Sequence, residues 1–271
     1  MLYYQLLFKC KCNSKPNKFI EETFVMLSKL FITIIFISAY LQVHSQGFDW
    51  QYSSRYPVDA PTLFGGLSFA YNHSIHSADI DLREYFVYCC EFKEGTGNGF
   101  SVGSNFEYWQ SGNYSIFLAL NFKNQSASFF KTERLPRLYD TLVTQYELNN
   151  TLTSFSIETG AKHRLFKSHF HVAASLLFTY IFNTDNKYTE TVLEPKDFPW
   201  HQREISTGNI SGLNKFNIYP NLRIGYDWSF DLNWYATPFI QVSFPLFDMS
   251  SNKKWRSSVF EFGVILLKGI N

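Results

Sequence analysis

Residues 214–228 read NKFNIYPNLRIGYDW. Phe216, Ile218, Leu222, Ile224 and Tyr226 occupy one parity. Asn217, Asn221, Arg223, Gly225 and Asp227 occupy the other. Successive side chains of a β-strand point to opposite faces, so a period of two marks a strand with two different surroundings. One face here is aromatic and aliphatic. The other carries a full guanidinium and a carboxylate, which need water or partners.

The pattern recurs outward along the chain, in segments 64–73, 98–110, 113–124, 151–163, 168–182, 234–247 and 256–268. Leu67, Phe69, Tyr71, Phe100, Val102, Phe122, Phe155, Phe178, Ile240 and Phe262 continue the apolar face. Ser68, Asn72, Ser101, Asn105, Asn121, Ser156, Ser175, Gln241 and Glu261 continue the polar one. Each segment exceeds the usual strand of about 5–6 residues and reaches the roughly 9–11 residues that cross a bilayer at a tilt. Eight such strands predict an all-β fold, an eight-stranded antiparallel up-and-down transmembrane β-barrel. Pro220, Pro238 and Pro245 fall inside the segments and mark bulges or strand ends, because proline cannot donate to a ladder.

The connections alternate. Short turns fall at Ser111-Gly112, around Phe166-Lys167 and at Phe230-Asp231-Leu232, and long links at 74–97, 125–150 and 183–213. Loops of that length are uncommon in compact soluble domains. Short periplasmic turns and longer external loops are the habit of outer-membrane barrels. An even strand count then leaves both termini in the periplasm. The long loops are the expected functional surface, with Tyr85, Phe86, Tyr88, Lys187, Tyr188, Phe198, Trp200, His201 and Arg203 as either contacts for a protein partner or, equally, a cover over the barrel mouth. Gly95-Thr96-Gly97-Asn98-Gly99 reads as turn chemistry. An interface girdle is expected at Tyr108, Trp109 and Tyr114 beside the first short turn, and at Trp228, Trp234 and Tyr235 beside the third.

Aromatic residues make up 19% of the chain and charged ones 17%, a balance that excludes intrinsic disorder. A formal charge of +1 leaves no electrostatic footprint for nucleic acid. Residues 46–271 hold no apolar run long enough for a membrane helix. Residues 26–46 read MLSKLFITIIFISAYLQVHSQ, with Lys29, an apolar stretch from Leu30 to Leu41, and small residues at Val43 and Ser45. That is the form of a secretory signal, expected over 26–45, with 1–25 a mis-called N-terminal extension and 46–271 the barrel domain. Removing 1–45 takes five Lys and two Glu, leaving 19 basic against 21 acidic residues. Cys89 and Cys90 then remain, and adjacent cysteines rarely bridge.

With this pattern the chain resembles the eight-stranded outer-membrane β-barrels of Gram-negative bacteria, of the OmpA-type and PorT-like kind. Glu261, Gly263 and Leu266 match the final strand read by the barrel-assembly machinery, while Lys268 stands where a further hydrophobe is usual. The resemblance implies the bacterial outer membrane as location. It also implies outer-membrane lipid, lipopolysaccharide and the assembly machinery as partners.

A barrel of eight strands is just wide enough to be filled by its own side chains. Glu107, Glu158, Lys162, His171, Arg223 and Glu261 are expected to form an ion network that plugs the lumen. No cofactor, metal or catalytic residue is expected, so the leading reading is a non-enzymatic barrel with structural, adhesion or partner-binding loops. Two other classes compete. A soluble secreted β-barrel binding a small apolar ligand would turn the aromatics inward. An outer-membrane lipid acyl hydrolase would need a hydroxyl–imidazole pair oriented by a carboxylate, and His73 and His76 with Ser74 and Ser77 are the candidates.

Overall fold

The computed structural model describes residues 61–81, 91–136, 141–165, 168–195, 197, 199, 201–208, 212–231, 233–251 and 254–270. The expected signal peptide and N-terminal extension, the Phe166-Lys167 turn, Leu232 of the third turn, Tyr85, Phe86, Tyr88, Cys89, Cys90, Phe198 and Trp200 lie outside the described residues.

The strands are β1 (Leu63–Asp81), β2 (Glu91–Trp109), β3 (Tyr114–Pro136), β4 (Thr141–Arg164), β5 (Phe170–Glu194), β6 (Gln202–Gly208), β7 (Phe216–Tyr226), β8 (Trp228–Asp231), β9 (Trp234–Ser243) and β10 (Trp255–Ile270). Eight of them form an antiparallel ring in the order β1-β2-β3-β4-β5-β7-β9-β10, and β10 closes on β1 with Leu67 opposite Leu266 and Tyr71 opposite Phe262. The short β8 continues β7 and pairs with β9, while β6 pairs with the far end of β5. All eight expected segments are strands of this ring.

Closure leaves every rung one inward and one outward side chain. Phe178, Ile224 and Phe262 are 39%, 59% and 40% exposed on the outside, against 7% for Arg223 and 4% for Glu261 inside. The soluble barrel with an apolar interior is therefore overturned. The outer surface also carries an aromatic ring at its upper edge. Tyr71 neighbours Phe100 and Phe262, while Phe155 neighbours Phe122 and Tyr180, which in turn meets Phe216.

The prolines stand where a donor is not needed. The β7–β9 ladder runs from Asn221↔Ser243 to Gly225↔Phe239. Pro220 lies one residue above it, accepting from the Phe244 amide at 3.1 Å. Pro238 lies one residue below it, and Pro245 follows the end of β9.

The long links are a correction. Most of 74–97, 125–150 and 183–213 is not loop: β1 and β2 pair out to Asp81↔Glu91, and β3 and β4 out to Pro136↔Thr141. The expected turn at Gly95–Gly99 is likewise part of β2. Its glycines make room for neighbours: a Cβ on Gly95 would stand 2.5 Å from the Phe129 ring.

These extensions invert the polarity. Ala78, Phe92, Ala127, Phe129, Tyr146, Leu148, Tyr188, Met249 and Trp255 form a buried apolar cluster on the inside. Asp79, Lys93 and Glu94 are exposed outside. Within the ring proper the inside is polar and the outside apolar. Beyond it the same walls enclose an ordinary hydrophobic core.

Candidate functional site

The lumen is a stack of four layers. The lowest is aromatic. Phe64 from β1, Trp109 from β2 and Tyr235 from β9 meet with ring centroids 4.5, 5.5 and 5.3 Å apart, backed by Phe239, Ile265 and Leu267. This corrects the expected girdle. Tyr108, Tyr114, Trp228 and Trp234 do face outward, but Trp109 and Tyr235 are buried inside. Period two explains it: if Tyr108 and Trp234 point out, the next residue on each strand must point in.

Above the aromatics lies a cluster centred on Asp227. The chain breaks between β7 and β8 at this residue, whose amide donates to the His169 carbonyl at 2.9 Å. Its carboxylate accepts from Arg164 at 2.8 Å, Lys162 at 3.2 Å and Thr237 at 2.9 Å, with His171 at 3.4 Å. Lys162 also meets Glu107 at 2.5 Å, and Glu107 accepts from Ser115. Gly225 makes space for His171, since a Cβ there would stand 2.6 Å from the imidazole.

The third layer holds Arg223. It donates to Glu158 at 3.0 Å and Gln241 at 2.7 Å, and its guanidinium lies 4.8 Å from the rings of both Phe117 and Phe239. Ser175 adds a 2.6 Å bond to Glu158. Higher still, Lys123 pairs with Glu261.

All six residues expected in the lumen are therefore inside it and buried. They form three separate ion clusters rather than one, and the sequence reading of the network omitted Lys123, Arg164 and Asp227. Parity could have found them. Lys123 continues the inward run Ser115-Phe117-Ala119-Asn121, and Arg164 lies two residues beyond Lys162. Lys123, Lys162, Arg164 and Arg223 balance Glu107, Glu158, Asp227 and Glu261, so these eight charges cancel. Two hollows of about 20 and 10 Å³ lie among these layers. Such volumes hold one or two waters at most, so among the described residues these layers occlude the lumen.

At the base of the upper apolar core, the Ser74–His76 pair proposed for acyl chemistry does make contact. His76 Nε2 is 2.9 Å from Ser74 Oγ, and Trp255 Nε1 is 3.3 Å from His76 Nδ1. An indole nitrogen only donates, so Nδ1 must accept and Nε2 must carry the proton. His76 then donates to Ser74, the reverse of what a general base does. Ser74 is 1% exposed and donates onward to the Ser126 carbonyl at 3.2 Å. His73 instead meets Asn98 at 2.8 Å on the outer surface, and Ser77 faces outward. The expected partner contacts divide as well. Lys187 and Arg203 are exposed and paired with Glu204 and Glu190, and His201 is exposed, but Tyr188 is fully buried in the upper core.

No family model matches the sequence, and no curated protein matches it. Solved structures do. The chain is similar to bacterial outer-membrane barrels. Ail, the attachment invasion locus protein of Yersinia pestis, is 9% identical over 75% of this chain and 97% of its own, with a TM-score of 0.32. The outer membrane protein OprG from Pseudomonas aeruginosa is 10% identical over 78% and 97%, at 0.34. The outer membrane protease OmpT from Escherichia coli is 7% identical over 82% and 100%, at 0.34. The barrel assignment rests on the closed ring and polar lumen of this chain itself.

Proposed function

We propose that the chain is a non-enzymatic outer-membrane barrel that displays a rigid strand-built platform outside the cell. The observation that carries this reading is the outward apolar belt around a closed ring whose interior is charged and hydrogen-bonded. Water outside such a belt would be costly, at roughly 25 cal/mol per Å² of apolar surface, whereas lipid tails match it. In β1 the crossing part runs from Leu63 to Tyr71, and the exposed Asp79, Glu94 and Arg256 lie beyond it. The short turn at Ser111-Gly112 then faces the periplasm, together with both termini, and lipopolysaccharide surrounds the outer edge.

The occluded lumen argues against transport, and the donor role of His76 argues against lipid hydrolysis. What remains for function is the extended hairpins of β1–β2, β3–β4 and β5–β6. Their outer faces carry Asn98, Asn149, Lys187 and Arg203, a polar surface for a protein partner in a structural or adhesive role. Labelling tests the topology. With Cys89 and Cys90 replaced by Ser, a membrane-impermeant maleimide on intact cells should modify Asn149→Cys and spare Asn113→Cys until the envelope is opened. Equal labelling at both positions would remove this reading.

A further inference from the structure

We propose that His76 is an acid-sensitive latch that fastens the external apolar core to the barrel, holding at neutral pH and releasing when the imidazole takes a second proton. It is independent of which partner the hairpins bind.

The geometry is directional. Trp255 of β10 donates to His76 Nδ1, His76 Nε2–H donates to Ser74 Oγ on β1, and Ser74 donates to the Ser126 carbonyl of β3. Three strands that do not all neighbour one another are thus tied by one chain of hydrogen bonds. Only neutral imidazole can complete it, because it must accept at one nitrogen and donate at the other. The bond matters to the core above. The Trp255 ring packs 6.0 Å from Phe129, which packs 6.0 Å from Phe92. His76 itself lies 5.9 Å from Phe129 and 6.0 Å from Trp255.

A proton on Nδ1 would set two donors against each other and leave the buried indole N–H without its acceptor. It would also place a cation in a site that is 1% exposed, away from water. Burial already holds the imidazole down, from its ordinary 6.5 to about 4; the Ser126 carbonyl opposes this and His73 adds to it. Among the described residues the neighbouring charges offer no counter-ion. Lys131 and Glu133 above it on β3 pair with each other, as do Lys123 of β3 and Glu261 of β10 below it. Glu94 of β2 and Arg256 of β10 project outward, as does His73 toward Asn98. Gly97 beside the relay is also explained, since a Cβ there would stand 1.7 Å from the Ser126 carbonyl oxygen and 2.9 Å from Ser74 Oγ.

The test uses the mature chain in detergent micelles, labelled with nitrogen-15 at tryptophan and histidine. The Trp255 indole resonance is assigned by its loss in Trp255→Phe. At neutral pH the His76 shifts should report the Nε2–H tautomer. On acidification between the ordinary pKa and about 4, the protection of the Trp255 N–H, taken relative to the intrinsic exchange rate of a free indole at each pH, should fall at least about fivefold, the order expected from losing one buried hydrogen bond. His76→Gln is the matched variant, because its amide can accept from Trp255 and donate to Ser74 without titrating. It should keep the same protection at every pH. An Nδ1–H tautomer, a Trp255 resonance indifferent to acid in the wild type, or an acid transition that survives in His76→Gln would each overturn the latch.

Discussion

The guanidinium of Arg164 lies 3.7 Å from the centroid of the Trp109 ring while the same side chain bonds Asp227 and reaches the Gly112 carbonyl at 3.2 Å. One residue thereby joins the aromatic floor of the lumen, the lowest ion cluster and the first short turn. A face-on cation gains from the ring quadrupole, by about 2 kcal/mol when desolvated. The floor and the charges are a single closure at the end of the barrel that carries the short Ser111-Gly112 turn.

Trp109→Ala should break that closure. Removing a buried tryptophan costs about 3–5 kcal/mol, and it strips Arg164 and Phe64 of their shared contact. The unfolding midpoint in urea should fall, and single-channel recordings in planar bilayers should show conductance that the parent lacks. A silent variant with an unchanged midpoint would place the seal elsewhere.

Arg223→Leu should be destabilising by about 3–5 kcal/mol, because it leaves the Glu158 carboxylate buried without its cation. The double variant with Glu158→Leu should recover much of the loss, since a well-packed apolar pair can replace a buried ion pair. A double variant as unstable as the single would mean that Arg223 acts through Gln241 and the flanking Phe117 and Phe239 rings instead.

Asp227→Asn should hurt more than Glu261→Gln. Asp227 serves the two cations Lys162 and Arg164 together, whereas Glu261 serves Lys123. Both changes keep the shape and remove only charge, so the difference in urea midpoint reads the number of cations stranded. Equal losses would contradict the layered arrangement.

Stability should rise with pH between about 4 and 6.5. His76 is held near 4 when folded and returns to 6.5 when unfolded, so in this window the unfolded chain binds the extra proton. Linkage then favours unfolding as pH falls, with the loss complete below the folded value. The slope should be shallower by one proton in His76→Gln, and part of it should remain because the unfolded chain also protonates His171, an imidazole buried in the lumen. A slope unchanged by His76→Gln would assign the effect to other groups.

Much of this was legible in residues 214–228 and their seven counterparts, because a barrel strand must alternate and its parity fixes each side chain's face. Parity also condemns the girdle misreading: Trp109 and Tyr235 neighbour outward-facing girdle residues and so cannot share their face. The strand extensions were hidden for a different reason. Above the ring the inward positions turn apolar, as at Phe129 and Leu148, and the outward ones turn polar, as at Ser128 and Asn149. A reader following one polarity sees the pattern dissolve where it only reverses. A register shift between Thr153 and Ser154 against β5 adds to this, leaving Phe182 outside the regular count. The Ser74–His76–Trp255 relay was half visible, since a pair two residues apart on a strand shares a face, but Trp255 comes from the far end of the chain.

The claim beneath all of these is that apolar side chains face lipid and charged ones face the lumen. Spin labels placed one at a time at Phe178, Ile224 and Phe262, and at Ser175, Arg223 and Glu261, in bilayer-reconstituted protein measure it directly. The first three should be accessible to dissolved oxygen, which concentrates in lipid, and shielded from a water-soluble nickel chelate. Labels at the second three should be immobile and poorly accessible to oxygen. Oxygen access at 175, 223 and 261 with shielding at 178, 224 and 262 would contradict the account.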